Sequence, residues 1–299
     1  VSILVSHSFD GGISINYILQ NQNVGNVTSY PITGLDQNTT YYYVVRALDA
    51  TSESVNSNEI TTTTALVSTT WNGTTWSNGA PTSTVDAIID GDFSSTGTLI
   101  AKDVTINATR TLTINAADQL SVMGNLVNNG AILFKSDATS TGRFDSYTGS
   151  AITGSGTVTM ERYIDGKRAY RLLAPGVTTT GTIANNWQQQ VFITGSTTGA
   201  NGFDATTTGN PSMYTYENTG WAPITNTNIL TLDATKGYRM LIRGDRTPSI
   251  LTSPSNGTMN TPVTLSATGT MVTIDQYSNF LMAHKGYCYR YSKHNPASA

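Results

Sequence analysis

Asp86, Asp90 and Asp92 stand at even spacing in the segment Asp-Ala-Ile-Ile-Asp-Gly-Asp, and residues an even number apart share one face of a continuous strand. Three carboxylates gathered in that way would suit Ca2+, a hard cation bound by oxygen, and calcium is the one cofactor these residues point to. The plainer reading is a polar strand edge that runs into a glycine turn. Two such carboxylates could also serve glycoside hydrolysis, although spacing alone does not set them across a sugar. A second group is aromatic. Trp71, Trp76 and Trp221, with Trp187, Tyr214 and Tyr216, could form a flat platform for stacking on sugar rings, or could instead fill and cap a core.

The remaining inventory is thin. His7 stands alone, and His284, Cys288 and His294 would supply three ligands to a zinc ion that ordinarily takes four. Arg243-Gly244-Asp245 matches the integrin tripeptide but reads more simply as a tight turn closing a strand. Asn26, Asn38, Asn72, Asn107 and Asn256 open Asn-x-Ser/Thr triplets, acceptors in a eukaryotic secretory path, in a chain whose Asn and Thr content produces several by chance. No nucleophile with its base and no matched acid and base can be picked out, so no catalytic activity is expected.

The elements that must position these residues are short strands. Val104-Thr105-Ile106, Leu112-Thr113-Ile114 and Leu120-Ser121-Val122 recur about every eight residues, each apolar, polar, apolar. A strand that short turns only two side chains inward, so it needs stacked coils or paired neighbours to complete a core. A small β-solenoid and a tight β-meander both satisfy this. Gly124-Asn125-Leu126-Val127-Asn128-Asn129-Gly130 repeats the idea, with Asn-Asn-Gly supplying a turn.

Charged residues make up 12% of the 299, against the ~25% of an ordinary soluble domain. Hydroxyls and amides must therefore carry solubility, as in many extracellular β-proteins. The net charge of -3 provides no basic field for phosphate backbones, which argues against nucleic acid. Apolar runs fall short of the ~20 residues that cross a bilayer, so no membrane span is expected. One cysteine rules out an internal disulfide framework. The chain opens at Val1 and is read as a fragment of a longer polypeptide.

Three regions follow, all of β type: 1–65, 66–164 and 165–299. In the first, Gly34, Leu35, Thr40 and Tyr42 resemble the corner of a fibronectin type III domain, where a tyrosine hydroxyl caps a backbone group. About thirty residues precede that corner, too few for the front strands, so the resemblance implies a partial sandwich with an edge that another chain or segment would cover. Thr61-Thr62-Thr63-Thr64 reads as a semi-extended linker. The second region, from Thr69-Thr70-Trp71-Asn72-Gly73-Thr74-Thr75-Trp76 through the triplets to Gly156-Thr157-Val158-Thr159-Met160-Glu161-Arg162-Tyr163-Ile164, resembles a module of large surface proteins of Bacteroidota exported by the type IX route. The third continues that resemblance through Tyr170-Arg171-Leu172-Leu173 and Gly237-Tyr238-Arg239-Met240-Leu241-Ile242 and reads as a β-sandwich, with an atypical segment after Asn279-Phe280.

The resemblance implies an extracellular, cell-surface protein. The expected role is a non-catalytic structural or adhesive segment that displays or spaces modules or forms filaments. Its partners would be other surface proteins, copies of itself or glycans. The alternative is a glycan-binding accessory region of a secreted polysaccharide-degrading enzyme.

Overall fold

A computed structural model of the chain describes residues 2–8, 17–147, 152–217, 220–246 and 260–271. These residues form two compact units, Val1–Val67 and Ser68–Ala299. The class is all-β, as the short alternating runs require.

In the first unit β1 (Ser2–Ser8), β2 (Tyr17–Gly25), β3 (Thr40–Leu48) and β4 (Ile60–Thr63) build one antiparallel sheet in the order β2-β1-β3-β4. Tyr41 is its anchor: 1% exposed, with its hydroxyl accepting the Asp36 N–H at 2.8 Å. The capping tyrosine is thus Tyr41 and not Tyr42, because in a strand only alternate side chains reach the buried face. The threonine tract is also not a free linker. Thr61, Thr62 and Thr63 pair with Tyr42, Tyr41 and Thr40, since β-branched residues fit a pleated surface well.

The second unit begins as a three-sided parallel β-solenoid. One side stacks β5 (Ser68–Trp71), β6 (Asp86–Ile89), β9 (Val104–Ile106), β12 (Leu126–Asn128) and β15 (Ile152–Thr153). The next stacks β7 (Phe93–Ser94), β10 (Thr111–Ile114), β13 (Ala131–Phe134) and β16 (Thr157–Ile164). The third stacks β8 (Thr98–Ala101), β11 (Gln119–Val122) and β14 (Arg143–Tyr147). The three regular triplets are therefore three sides of one coil, and each pairs with a strand roughly twenty residues away and not with its sequence neighbour. This decides for the solenoid over the meander.

The register places like residues above one another. Ala87, Val104 and Leu126 form one inward column; Leu112, Ile132 and Val158 form another; Leu99, Leu120 and Phe144 form a third. Leu112, Ile114, Leu120 and Leu126 are wholly buried, and each such side chain contributes about 1.5–3 kcal/mol by leaving water. Asn128 interrupts one column. It is only 3% exposed, and its amide donates to the Thr157 carbonyl at 3.0 Å while its oxygen accepts the Gly130 N–H at 3.2 Å. Gly156 makes room for this, because a Cβ there would lie 2.3 Å from the Gly130 carbonyl oxygen.

Beyond the last coil, β17 (Ala169–Leu173), β18 (Val177–Thr179), β19 (Thr194–Ser196), β20 (Asp204–Ala205), β21 (Met213–Glu217), β22 (Gly220–Pro223), β23 (Tyr238–Ile242) and β24 (Val263–Met271) complete the unit. β24 pairs antiparallel with β16 from Val158↔Gly269 to Ile164↔Val263, and β18 adds to β24. The solenoid side thus continues without a break into a mixed sheet. A second sheet, β17-β23-β21-β22, is antiparallel. Its inner face packs Tyr238, Met240, Ile242 and Met213 against Ile183, Trp187, Ile193 and Leu265, in a cluster that includes the solenoid core.

Candidate functional site

β6 ends at Ile89 and Asp90-Gly91-Asp92 turns the solenoid corner, so the three carboxylates do not share one continuous strand. The glycine is required by contact: a Cβ on Gly91 would sit 2.2 Å from the Gly73 nitrogen, in the turn that follows Trp71. Each carboxylate is engaged by the next coil. Asp86 accepts the Asp103 N–H at 3.3 Å and faces the Lys102 ammonium at 3.4 Å. Asp90 accepts from the Asn107 amide at 2.8 Å, and Asp92 from the Thr111 N–H at 2.9 Å. Asp103 repeats the device one coil later, accepting the Asn125 N–H at 2.7 Å. Among the described residues no group of three or more His, Cys, Asp or Glu is placed to hold a metal. The arrangement is a ladder of corner rungs that satisfies backbone donors where the strands stop.

The tryptophans separate. Trp71 and Trp76 face each other across a β-bridge with ring centroids 5.6 Å apart, and Phe93 lies edge-on to Trp71 at 5.0 Å. All three pack on the solenoid core, and the Trp71 indole N–H donates to the Asp92 carbonyl at 3.0 Å. They cap the first coil. Trp187 is 3% exposed and meets Tyr238 edge-on at 5.7 Å. Burial pushes the Tyr238 hydroxyl up to about 12, although that oxygen accepts the Asp233 N–H at 2.9 Å.

Trp221 lies elsewhere, on the outer face of β17-β23-β21-β22. Strand alternation turns Tyr170 and Leu172 of β17, Arg239 and Leu241 of β23, and Tyr214 and Tyr216 of β21 to that side, away from the core. Arg239 opposes Leu172 on one neighbour and Tyr214 on the other, and Tyr216 opposes Trp221. The guanidinium carbon of Arg239 lies 4.5 Å from the centre of the Tyr214 ring, 5.1 Å from that of Tyr170 and 5.3 Å from that of Trp221. These are cation–π distances. Tyr216 packs edge-on to Trp221 at 5.4 Å. Tyr170 and Tyr216 are nearly half exposed, at 48% and 46%. Burial and the neighbouring Tyr170 raise the Tyr214 hydroxyl above its ordinary value, against the lowering effect of Arg239.

Arg243 follows just beyond the end of β23. Burial first, and Arg168 second, lower it below the usual guanidinium range. The Arg243-Gly244-Asp245 tripeptide is built into the frame: Gly244 is buried at φ 121, Asp245 bridges to Val191, and its N–H donates to Thr261 at 2.9 Å. It is not a displayed loop. His284, Cys288, His294 and Asn256 lie outside the described residues.

The structure thus brings Trp71 together with Trp76, sets Trp221 among tyrosines, and engages Asp86, Asp90 and Asp92 in rungs. The cluster that position in sequence did not reveal is Arg239 with Tyr170. Its available signal was the alternation Tyr170-x-Leu172 and Arg239-x-Leu241, bulky residues facing away from an inner face already rich in apolar ones. No family model matches the chain, and no match was found among curated proteins or solved structures.

Proposed function

We propose that the chain is a non-catalytic structural and adhesive segment of a bacterial cell-surface protein, a firm support that spaces and presents binding surfaces. The observation that carries this reading is the single buried cluster running from Ala87 in the first coil to Ala267 in β24. A stack in which Asp86, Asp90, Asp92 and Asp103 each accept a hydrogen bond from the next coil, and whose last coil shares a sheet with the following sandwich, resists bending. The partial fibronectin type III reading of the first unit draws support from its single four-stranded sheet and from Tyr41, whose hydroxyl reaches back to Asp36 as in a tyrosine corner.

Antibody against the purified chain should label intact source cells, and beads coated with it should be retained on cells or envelope material over uncoated beads. Reproducible turnover of a glycoside, ester, peptide or phosphate substrate, abolished by one substitution in the chain, would overturn the reading.

A further inference from the structure

The geometry points to the outer face of the β17-β23-β21-β22 sheet as a binding site for an acidic polysaccharide, with Tyr170, Tyr214 and Trp221 as the stacking surface and Arg239 as the anion contact. This rests on the adhesive reading and gives it a ligand class.

The first argument is charge. Three cations of the described residues meet carboxylates: Arg46 with Glu53, Lys102 with Asp86 and Arg246 with Asp204. Arg239 instead lies among three rings, and its Nε is shielded from water with no hydrogen-bond partner. A guanidinium that no carboxylate of the described residues answers, in a chain of net charge -3, is complementary to an anion from outside.

The second argument is shape. Aromatic rings at the surface of a sheet offer their faces to the C–H side of a pyranose, while a guanidinium held against them meets its carboxylate or sulfate. The face is a strand surface and not an enclosed cleft of the kind small ligands need, so an extended polymer that lies across it is the fitting occupant. Single-stranded nucleic acid shares the stacking chemistry, but its binders run a long basic groove along the phosphates, and this chain has few cations to build one.

The test uses the full chain in affinity gel electrophoresis with alginate or polygalacturonate in the gel, against dextran and against oligothymidylate of similar length. The expected result is retardation by the uronate polymers and not by dextran, weakening as salt is raised. Arg239→Gln and Tyr170→Ser should each lower the affinity about tenfold or more, while Trp71→Ala, in the solenoid cap, leaves it unchanged. Tyr170 is exposed enough for its variant to keep the fold, which the melting temperature will verify, so the proposal does not depend on Arg239→Gln folding. Equal retardation by dextran, stronger binding to oligothymidylate, or uronate binding that survives both substitutions would overturn the proposal. Coated beads that still adhere while uronates do not bind would overturn this site and leave the adhesive reading standing.

Discussion

Two regions of the second unit use the same residue types to opposite ends. At the first coil Trp71 and Trp76 close on Phe93, and Asp86, Asp90 and Asp92 each accept a hydrogen bond from the coil above. On the outer face of the second sheet, Trp221, Tyr170 and Tyr214 surround Arg239, which no carboxylate of the described residues answers. A polar or aromatic side chain marks a site only when its neighbours leave part of its bonding capacity unused. Composition does not distinguish the two cases; the partner each group meets does.

Four substitutions bear on that contrast, from the largest effect to the smallest. Leu120→Ala, in the column with Leu99 and Phe144, should cost about 2–5 kcal/mol by removing buried contacts and leaving a cavity. Chemical denaturation followed by circular dichroism would measure it, and a loss below about 1 kcal/mol would mean the coil tolerates a void that close packing forbids. Trp71→Ala should cost about 2–3 kcal/mol, less than a fully buried tryptophan because it is partly exposed. Trp221→Ala should lose only its ring contacts, about 1 kcal/mol. If their order of stability loss reversed, the division into cap and binding face would be wrong. Asp92→Ala should cost about 1 kcal/mol by leaving the Thr111 N–H to water. Calcium and chelator should then leave the melting temperature of the parent chain unmoved. A calcium-dependent rise lost in Asp92→Ala would instead make the rung a ligand.

Much of the fold was legible because burial in a strand follows a two-residue period. Val104, Ile106, Leu112, Ile114, Leu120 and Val122, the outer members of the triplets, are all fully buried. Their eight-residue spacing could not separate solenoid from meander, since it fixes the length of a side and not which strand lies beside it. Which tyrosine hydroxyl accepts the Asp36 N–H was not legible: Tyr41, Tyr42 and Tyr43 are chemically alike, and only the pleat decides that Tyr41 turns inward. The carboxylate trio misled because even spacing has meaning only while the strand continues, and Gly91 ends that continuity. The Arg239 cluster was the least legible, because Tyr170, Tyr214, Trp221 and Arg239 are joined by pairing between distant segments.

The pairing of β16 with β24 also sets an order of events. Thr159 and Thr268 share a hydroxyl contact at 2.8 Å across 109 residues of chain. Coils below β16 bury contacts only about twenty residues apart and can form early, as each turn finds the one before it. The open backbone of β16, in contrast, waits for a strand made much later, and until β24 arrives it is an unpaired strand edge. Completion of the molecule is therefore paced by its most distant contact and not by its most repetitive one.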